Sequence, residues 1–386
     1  MHILIAPNAF KNSLTAQEAS SAIQEGLSES HFACTCECFP VGDGGDGTGR
    51  LIVEQCNGRY QYVTVKDPLG RDIESSFGLI NNGQTAVIEM ADASGLRLLH
   101  AGELDPTRAT SYGTGEMIKA ALNMGVSKII IGMGGSATVD GGIGILRALG
   151  IRFLDASGED LQCSPVCLFD LFDIDVSGLD KRILDCDVTV LCDVDNRLLG
   201  EFGAAQVFGP QKGASPEDVI KLDEALAMFN SIAIDRFGIN IAELKYGGTA
   251  GGAAAGLAGF INAKLVNGIN HYLELTDFDS ALRKSDLVIT GEGSIDEQTL
   301  QGKGPFGVAA KAKTLDKPVI GIAGKIPVSI NAQLHNYFDV LLAIGSGPTD
   351  LATALRLTNN NLIRTAASIG HMLKIQTGNI ELNWGN

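Results

Sequence analysis

Residues 132–142 combine glycines, hydroxyl groups and a carboxylate in the order Gly-Met-Gly-Gly-Ser-Ala-Thr-Val-Asp-Gly-Gly. They follow the segment 128–131, Lys-Ile-Ile-Ile, which predicts a buried strand that ends in a glycine-rich turn. Glycines let backbone N–H groups approach an anion closely, and hydroxyls add further donors. Asp140 is either a metal ligand or the cap of the next helix, and a purely structural turn is the alternative. The residues expected to bind phosphate are Gly134, Gly135, Ser136 and Thr138.

Two further glycine-rich segments carry carboxylates where predicted strands end. Segment 42–47 is Gly-Asp-Gly-Gly-Asp-Gly, and segment 291–296 is Gly-Glu-Gly-Ser-Ile-Asp. Acids among glycines suit Mg²⁺ and its bound waters. The candidate metal ligands are therefore Asp43, Asp46 and Glu292, and the candidate nucleotide contacts are Gly291 and Gly293.

Segment 42–47 admits two alternatives. Its spaced glycines fit the GxGxxG pattern of a Rossmann dinucleotide site, with Asp67 near the position of the expected acid. Its two aspartates would lie inside the pyrophosphate cradle and repel the ligand, which disfavours this interpretation. A solvated acidic turn is the second alternative.

Four cations and one more acid are placed to act on a phosphorylated or carboxylated substrate. Lys303 lies between glycines and could meet a phosphate as a point charge, with an ordinary surface lysine as the alternative. Lys11, after the first predicted strand, or Arg71, on a predicted turn, could hold a carboxylate. Asp193 ends a predicted strand and is a candidate base or metal ligand, and Lys212 follows it in the chain.

Composition and missing motifs exclude several classes. The net charge is −16 with no cluster of Lys and Arg, which disfavours nucleic-acid binding. No apolar run approaches the roughly 20 residues that span a bilayer, and residues 1–7 are too short and uncharged for a signal peptide, so we expect a cytoplasmic protein. The chain lacks the P-loop GxxxxGK[ST], the protein-kinase HRD motif and the GxSxG elbow. Phosphoryl transfer fits what remains, because it needs positioned cations and carboxylates rather than a protein nucleophile.

Alternating apolar segments and capped amphipathic segments predict an α/β fold. A capping box at Thr15–Glu18 begins one helix, and Ser215 caps another. We expect residues 60–65 and 84–90 to be antiparallel partner strands. The first strand and the last three, near residues 287, 319 and 340, are expected to share one parallel sheet, with a second α/β domain inserted between them. The predicted domains are 1–57 with 265–386, and 58–264, with a cleft between the two.

Taken in order, these motifs resemble the bacterial type I glycerate kinase family over nearly the whole chain. The segments that carry the resemblance are 6–7 with 10–14, 42–48, 132–142, 192–196, 208–213, and 290–296 with 302–303. The resemblance implies ATP- and Mg²⁺-dependent phosphorylation of D-glycerate, most often giving 2-phosphoglycerate. It also implies a flavodoxin-like domain and an inserted α/β domain, with the active site in the cleft.

Two positions depart from the family pattern. Family members often have Asp-Ser after Ala-Pro, where this chain has Asn8 and Ala9, and often a Glu where it has Asp46. Asp46 keeps the charge, whereas Asn8 loses one, so any metal or substrate contact at that position is weakened.

The chemistry suggests roles for the candidates. Asp193 would accept the proton of the attacking hydroxyl. Lys212 or Lys303 would offset charge on the transferred phosphate, and Lys11 or Arg71 would hold the glycerate carboxylate. We expect small-molecule partners only, and a monomer or homodimer. The alternatives are a 3-phosphoglycerate-forming kinase, a nucleotide-dependent oxidoreductase and a regulatory protein that binds an organic acid.

Overall fold

The computed structural model describes residues 1–161, 164–329 and 332–376. Within these ranges it contains thirteen β-strands, numbered in chain order. They are β1 (His2–Ile5), β2 (Thr35–Cys38), β3 (Arg59–Lys66), β4 (Asp72–Ile80), β5 (Thr85–Glu89), β6 (Lys128–Gly132), β7 (Arg152–Leu154), β8 (Asp173–Asp175), β9 (Asp187–Cys192), β10 (Lys264–Asn267), β11 (Leu287–Ser294), β12 (Val319–Lys325) and β13 (Val340–Ala343).

The same described ranges contain fourteen α-helices, also numbered in chain order. They are α1 (Ala16–Glu29), α2 (Thr48–Gln55), α3 (Ala91–Ser94), α4 (Tyr112–Asn123), α5 (Ile143–Ala148), α6 (Ala204–Phe208), α7 (Pro216–Phe237), α8 (Ala253–Ile261), α9 (Gly268–Leu275), α10 (Phe278–Lys284), α11 (Gly304–Lys313), α12 (Ala332–Tyr337), α13 (Leu351–Arg356) and α14 (Thr358–Gln376). The capping box predicted at Thr15 and the cap predicted at Ser215 are present and begin α1 and α7, and the cap at Ser215 is also a full capping box. No helix within the described residues has the length and apolar content needed to cross a membrane.

The chain forms two compact units. The first contains Met1–Asp43 and the residues from Tyr272 onwards, and the second is Gly44–His271. Residues 44–57 and 265–271, predicted in the first domain, fall in the second unit. The amides at the start of α2 bond to Glu89 of β5, and β10 pairs with β9, which ties both segments to the second unit.

The first unit is a parallel sheet in the order β13-β12-β11-β1-β2. Numbered within the unit, this is the order 2-1-3-4-5 of flavodoxin-like folds, in which ligands bind beyond the carboxyl ends of the strands. Helices α1 and α14 pack with the strands around one apolar core that includes Ile3, Ile289 and Ile369. The prediction that the first strand and the last three share a parallel sheet is confirmed.

The second unit contains a six-stranded sheet in the order β10-β9-β6-β5-β4-β3. The four strands from β10 to β5 are parallel, whereas β4 is antiparallel to both of its neighbours. A separate antiparallel pair is formed by β7 and β8. The apolar faces of α4, α7 and α8 help to form the core of this unit.

The predicted direct pairing of residues 60–65 with 84–90 is wrong. These residues form most of β3 and β5, and β4 lies between them. The first half of β4, Asp-Ile-Glu-Ser-Ser, is mostly polar, so the sequence does not clearly indicate a strand there. Its alternating apolar residues, however, place Phe77 and Leu79 in the core with Ile73 packed against them.

Candidate active site

The two glycine-rich loops of the second unit contact each other through their backbones. The amide of Gly134 donates to the carbonyl oxygen of Gly44 (3.0 Å). A Cβ atom at Gly134 would collide with the backbone of Gly45 and Asp46. Gly135 has a φ of 70°, in the left-handed region that favours glycine. Both glycines therefore have a packing or conformational role, and their contact with a nucleotide stays a prediction.

Lys212 is a buried cation that contacts the predicted phosphate-binding turn. Its Nζ donates to Oγ of Ser136 (2.8 Å) and to the carbonyl oxygen of Thr138 (2.7 Å). Burial lowers the pKa of Lys212 to about 7, although the carboxylates of Asp140 and Asp193 act in the opposite direction. The lysine thus anchors the turn and can change its charge near neutral pH.

The turn also contains an unsatisfied buried hydroxyl. Oγ1 of Thr138 is buried and has no hydrogen-bond partner within the described part of the chain. A buried polar group in this condition costs about 1–3 kcal/mol, and a ligand that formed a hydrogen bond with it would remove that cost. The amides of Gly134 and Ala137 are already donated to the carbonyls of Gly44 and Ser94. An anion at this turn would therefore use the remaining amides and the hydroxyls.

Asp140 has a structural role. Its carboxylate accepts hydrogen bonds from the amide and hydroxyl of Ser111, and from the amides of Gly142 and Gly144 at the start of α5. The side chain is buried with these donors around it. Of the two roles that the sequence suggests, the geometry favours the helix cap.

Asp193 lies at the same sheet edge as the turn. It directly follows β9, the parallel neighbour of β6, and both loops leave the carboxyl ends of these strands. Asp193 is half-buried and interacts electrostatically with Lys212. The second unit therefore brings together four of the predicted residues, which we name the lysine cluster: Ser136, Thr138, Asp193 and Lys212.

The shifted pKa of Lys212 predicts a pH-dependent stability. The group titrates at about 7 in the folded protein and near 10.5 when exposed, so the unfolded chain binds more protons between these values. The free energy of unfolding should therefore rise with pH across this interval. We expect urea titrations to show this rise in the native protein relative to Lys212→Met. A difference between the two proteins that stays constant from pH 7 to about pH 9 would contradict the prediction.

The amides at the start of α2 are occupied by a carboxylate of the protein itself. Glu89 is buried and accepts hydrogen bonds from the amides of Gly47 (3.1 Å) and Gly49. Burial raises the pKa of Glu89, and the two hydrogen bonds act in the opposite direction. A dinucleotide pyrophosphate would need these same amides, so the geometry contradicts the Rossmann alternative.

Two predicted site residues of the second unit are held in ion pairs. Asp46 accepts a hydrogen bond from the guanidinium of Arg97 (2.8 Å). Arg71 donates to Asp67 (2.5 Å) and to Glu103 (2.7 Å), and its side chain is 48% exposed. A metal at Asp46 or a glycerate carboxylate at Arg71 would compete with these partners. Both roles stay predictions.

In the first unit, Asp43 is held by two neighbouring elements. Nδ2 of Asn8, after β1, donates to Oδ2 of Asp43 (2.8 Å), and Oδ1 of Asn8 accepts from the amide of Ala9 (2.8 Å). The same Asp43 oxygen accepts from the amide of Gly304, in the first turn of α11 (3.3 Å). The amides at a helix N-terminus favour a negative charge.

Glu292 of β11 forms a second buried acid beside Asp43. Its Oε1 accepts a hydrogen bond from the hydroxyl of Thr299 (3.1 Å). Burial raises the pKa of Glu292 to about 7; the charge of Asp43 acts in the same direction and that of Lys303 against it. Lys303 is the N-cap residue of α11. We name Asp43 and Glu292 the acidic pair.

The donor set of the acidic pair fits Mg²⁺. This ion is commonly held by one or two carboxylates and completes its shell with water and phosphate oxygens. No group of three or more His, Cys, Asp or Glu side chains in the described ranges could hold a metal alone. Burial and mutual repulsion make two ionised carboxylates costly, and a divalent cation would offset that cost.

Asn8→Asp is expected to destabilise the metal-free protein. The substitution replaces the donor to the buried Asp43 carboxylate with a second acceptor, which removes a part-buried hydrogen bond at a cost of about 1–3 kcal/mol. Thermal unfolding should show a lower midpoint without metal and a larger rise on adding Mg²⁺ than in the native protein. Asn12→Asp, an exposed substitution in the same loop, is the charge-matched control. An Asn8→Asp midpoint equal to that of the control would contradict this account.

A cavity of about 400 Å³ lies within the first unit. Two predicted site residues, Lys11 and Gly293, line it. Gly291 has another role, because a Cβ atom there would collide with the carbonyl oxygen of Ile322 in the neighbouring strand. Its contact with a nucleotide stays a prediction. The sequence-based reasoning missed the remaining walls of the cavity, including Lys325 and the loop 344–349.

Comparison with known proteins gives full-length matches. The model of the glycerate kinase family matches residues 3–374. The glycerate kinase of Bacillus subtilis (strain 168) is 44% identical over 375 residues, which cover 97% of this chain and 98% of that protein. The glycerate 2-kinase of Escherichia coli (strain K12) is 40% identical with the same coverage of both chains.

A solved structure agrees with these matches. The crystal structure described as glycerate kinase 2 from Salmonella typhimurium LT2 aligns with a TM-score of 0.81 and 42% sequence identity, over 98% of this chain and 99% of that one. Together with the flavodoxin-like sheet and the inserted second unit, these matches show that the chain belongs to the glycerate kinase family.

Proposed function

We propose that this enzyme transfers the γ-phosphate of ATP to the 2-hydroxyl of D-glycerate and forms 2-phosphoglycerate. The observation that carries the proposal is the lysine cluster, in which a buried ammonium group holds a hydroxyl-bearing turn beside Asp193. Membership of the glycerate kinase family supports the substrate, and the name of the Escherichia coli relative, glycerate 2-kinase, supports the position of transfer.

The lysine cluster has the groups that are needed to bind glycerate, the phosphate acceptor, and to activate its hydroxyl. Asp193 accepts the proton of the attacking hydroxyl, or orients that hydroxyl toward the phosphorus. Ser136 and Thr138 supply hydroxyls to the acceptor, and Thr138 has an unused one. Lys212 places a positive charge against the turn and stabilises negative charge that develops there.

The acidic pair has the groups that are needed to bind the metal ion of ATP, the phosphate donor. Asp43 and Glu292 would hold Mg²⁺, which when bound neutralises charge on the phosphate oxygens of ATP. Lys303 adds a cation at the start of α11, next to Glu292. Catalysis of phosphoryl transfer comes mostly from positioning and from such charges, so no covalent intermediate on the protein is required.

A kinase assay tests the proposal. ADP release is followed by a coupled enzyme reaction with ATP, Mg²⁺ and D-glycerate, with L-glycerate and no acceptor as controls. We expect rapid ADP release that depends on D-glycerate. Absence of ADP release over a broad range of conditions, or release at the same rate without an acceptor, would contradict the proposal.

A further inference from the structure

We propose that the cavity of the first unit binds the purine and ribose of ATP, with the polyphosphate directed to Lys11 and Lys325. The proposal rests on the kinase function above and adds where the nucleotide binds. It assigns Lys11 to phosphate rather than to the glycerate carboxylate.

The position of the cavity is the first argument. Its walls come from the carboxyl ends of four neighbouring parallel strands: Lys11 follows β1, Gly293 lies in β11, Lys325 ends β12, and the loop 344–349 follows β13. In open α/β sheets this edge is where ligands bind. The acidic pair includes Glu292, the residue before Gly293, so a nucleotide here would lie beside the proposed Mg²⁺ ligands.

The chemistry of the walls is the second argument. Part of the lining is apolar and includes Ile344, Leu351, Ala354, Leu355 and Leu357. Such a surface suits the flat face of a purine, whose edge needs only a few polar contacts. The amide of Asn361 and the hydroxyls of Ser346 and Thr349 also line the cavity and can supply them.

Two cations also line the cavity. Lys11 and Lys325 are both exposed and line the part of the cavity formed by β1, β11 and β12. Ile344 lies in the loop after β13, Leu351, Ala354 and Leu355 lie on α13, and Leu357 lies between α13 and α14. A cavity lined by both an apolar surface and cations matches a ligand that carries a base and phosphates.

The size of the cavity favours a nucleotide over glycerate. Pockets for small molecules and cofactors have about 300–1,000 Å³ of volume, and this cavity has about 400 Å³. Glycerate, a three-carbon acid, would leave most of it empty and would leave its apolar wall without a partner. The exposed loop 345–349 gives a ligand access from solvent.

Ala354→Phe tests the proposal because it fills the apolar side of the cavity from α13. The matched control is Ala352→Phe, which adds the same ring at an exposed position of the same helix outside the cavity. Calorimetric titration with Mg·ADP, without acceptor, should give a Kd at least about tenfold higher for Ala354→Phe, the scale of lost apolar contacts. The control should keep the native Kd, and the KM for D-glycerate should stay unchanged in both variants.

Two outcomes would overturn the proposal. A folded Ala354→Phe that binds Mg·ADP as tightly as the control would place the base elsewhere. Photolabelling of the native protein with 2-azido-ATP covers the case in which this variant does not fold: label in the peptides of 344–361 supports the cavity, and label only elsewhere rejects it. Nucleotide binding is measured without glycerate, so a protein that binds Mg·ADP here but phosphorylates no glycerate would refute the kinase function alone.

Discussion

Lys212→Met is expected to lower kcat for glycerate phosphorylation at least about 100-fold, the scale for removing one preorganised charge or donor at a reacting group. The ammonium group is buried against the turn, where the low polarity of the surroundings strengthens its effect. Methionine has a similar length but carries neither the charge nor the two hydrogen bonds. Steady-state kinetics with both substrates varied will measure the change.

The control for this variant is Lys221→Met, the same exchange at an exposed position on α7. It should retain native kcat. Circular dichroism and thermal unfolding must show that Lys212→Met is folded, because the exchange also leaves the hydroxyl of Ser136 without its donor. A folded Lys212→Met with kcat near the control value would remove Lys212 from the mechanism.

Asp193→Asn is expected to lower kcat by about 100-fold or more, the scale for lost general-base help. The amide keeps the size and position of the side chain but cannot accept the proton. The KM for D-glycerate should change little, since the residue acts on the reacting hydroxyl rather than on binding. Asp195→Asn, which neutralises an exposed carboxylate two residues later, is the matched control. Unchanged kcat in Asp193→Asn would assign the base to another group.

The parallel sheet of the first unit was predictable from local patterns. Short apolar runs mark β1, β11, β12 and β13, and glycines occur at or just after the ends of the last three. Parallel strands that are covered on both faces show such apolar runs. The strand β4 was missed because its first half is polar, although the alternation of Ile73, Phe77 and Leu79 is present in the sequence. A search for period two within residues 72–80 would have found it.

The residues of the candidate site could be predicted from their types, but the contacts between them could not. Lys212 and Ser136 are 76 positions apart, and no local spacing indicates that one will hold the other. The glycine at Gly134 was interpreted as room for an anion, whereas the structure fills that space with the backbone of Asp46. The same residue type serves both purposes, so the sequence alone does not distinguish them.

Most of the lining of the cavity in the first unit could not be predicted from the sequence. The strands near residues 319 and 340 were predicted, yet no residue of the loops that follow them was named as a candidate. Their apolar and hydroxyl side chains are ordinary for a core or a loop. They indicate a binding site only because Ile344, Leu355 and Lys325 line the same cavity in the folded protein.

The proton-coupled phosphorus NMR spectrum of the product tests the central claim most directly. The native enzyme is incubated with ATP, Mg²⁺ and D-glycerate until the acceptor is consumed. Phosphate on carbon 2 has one neighbouring proton and gives a doublet, whereas phosphate on carbon 3 has two and gives a triplet. We predict the doublet of 2-phosphoglycerate. A triplet would contradict the position of transfer, and the absence of any phosphoglycerate signal would contradict the glycerate kinase function.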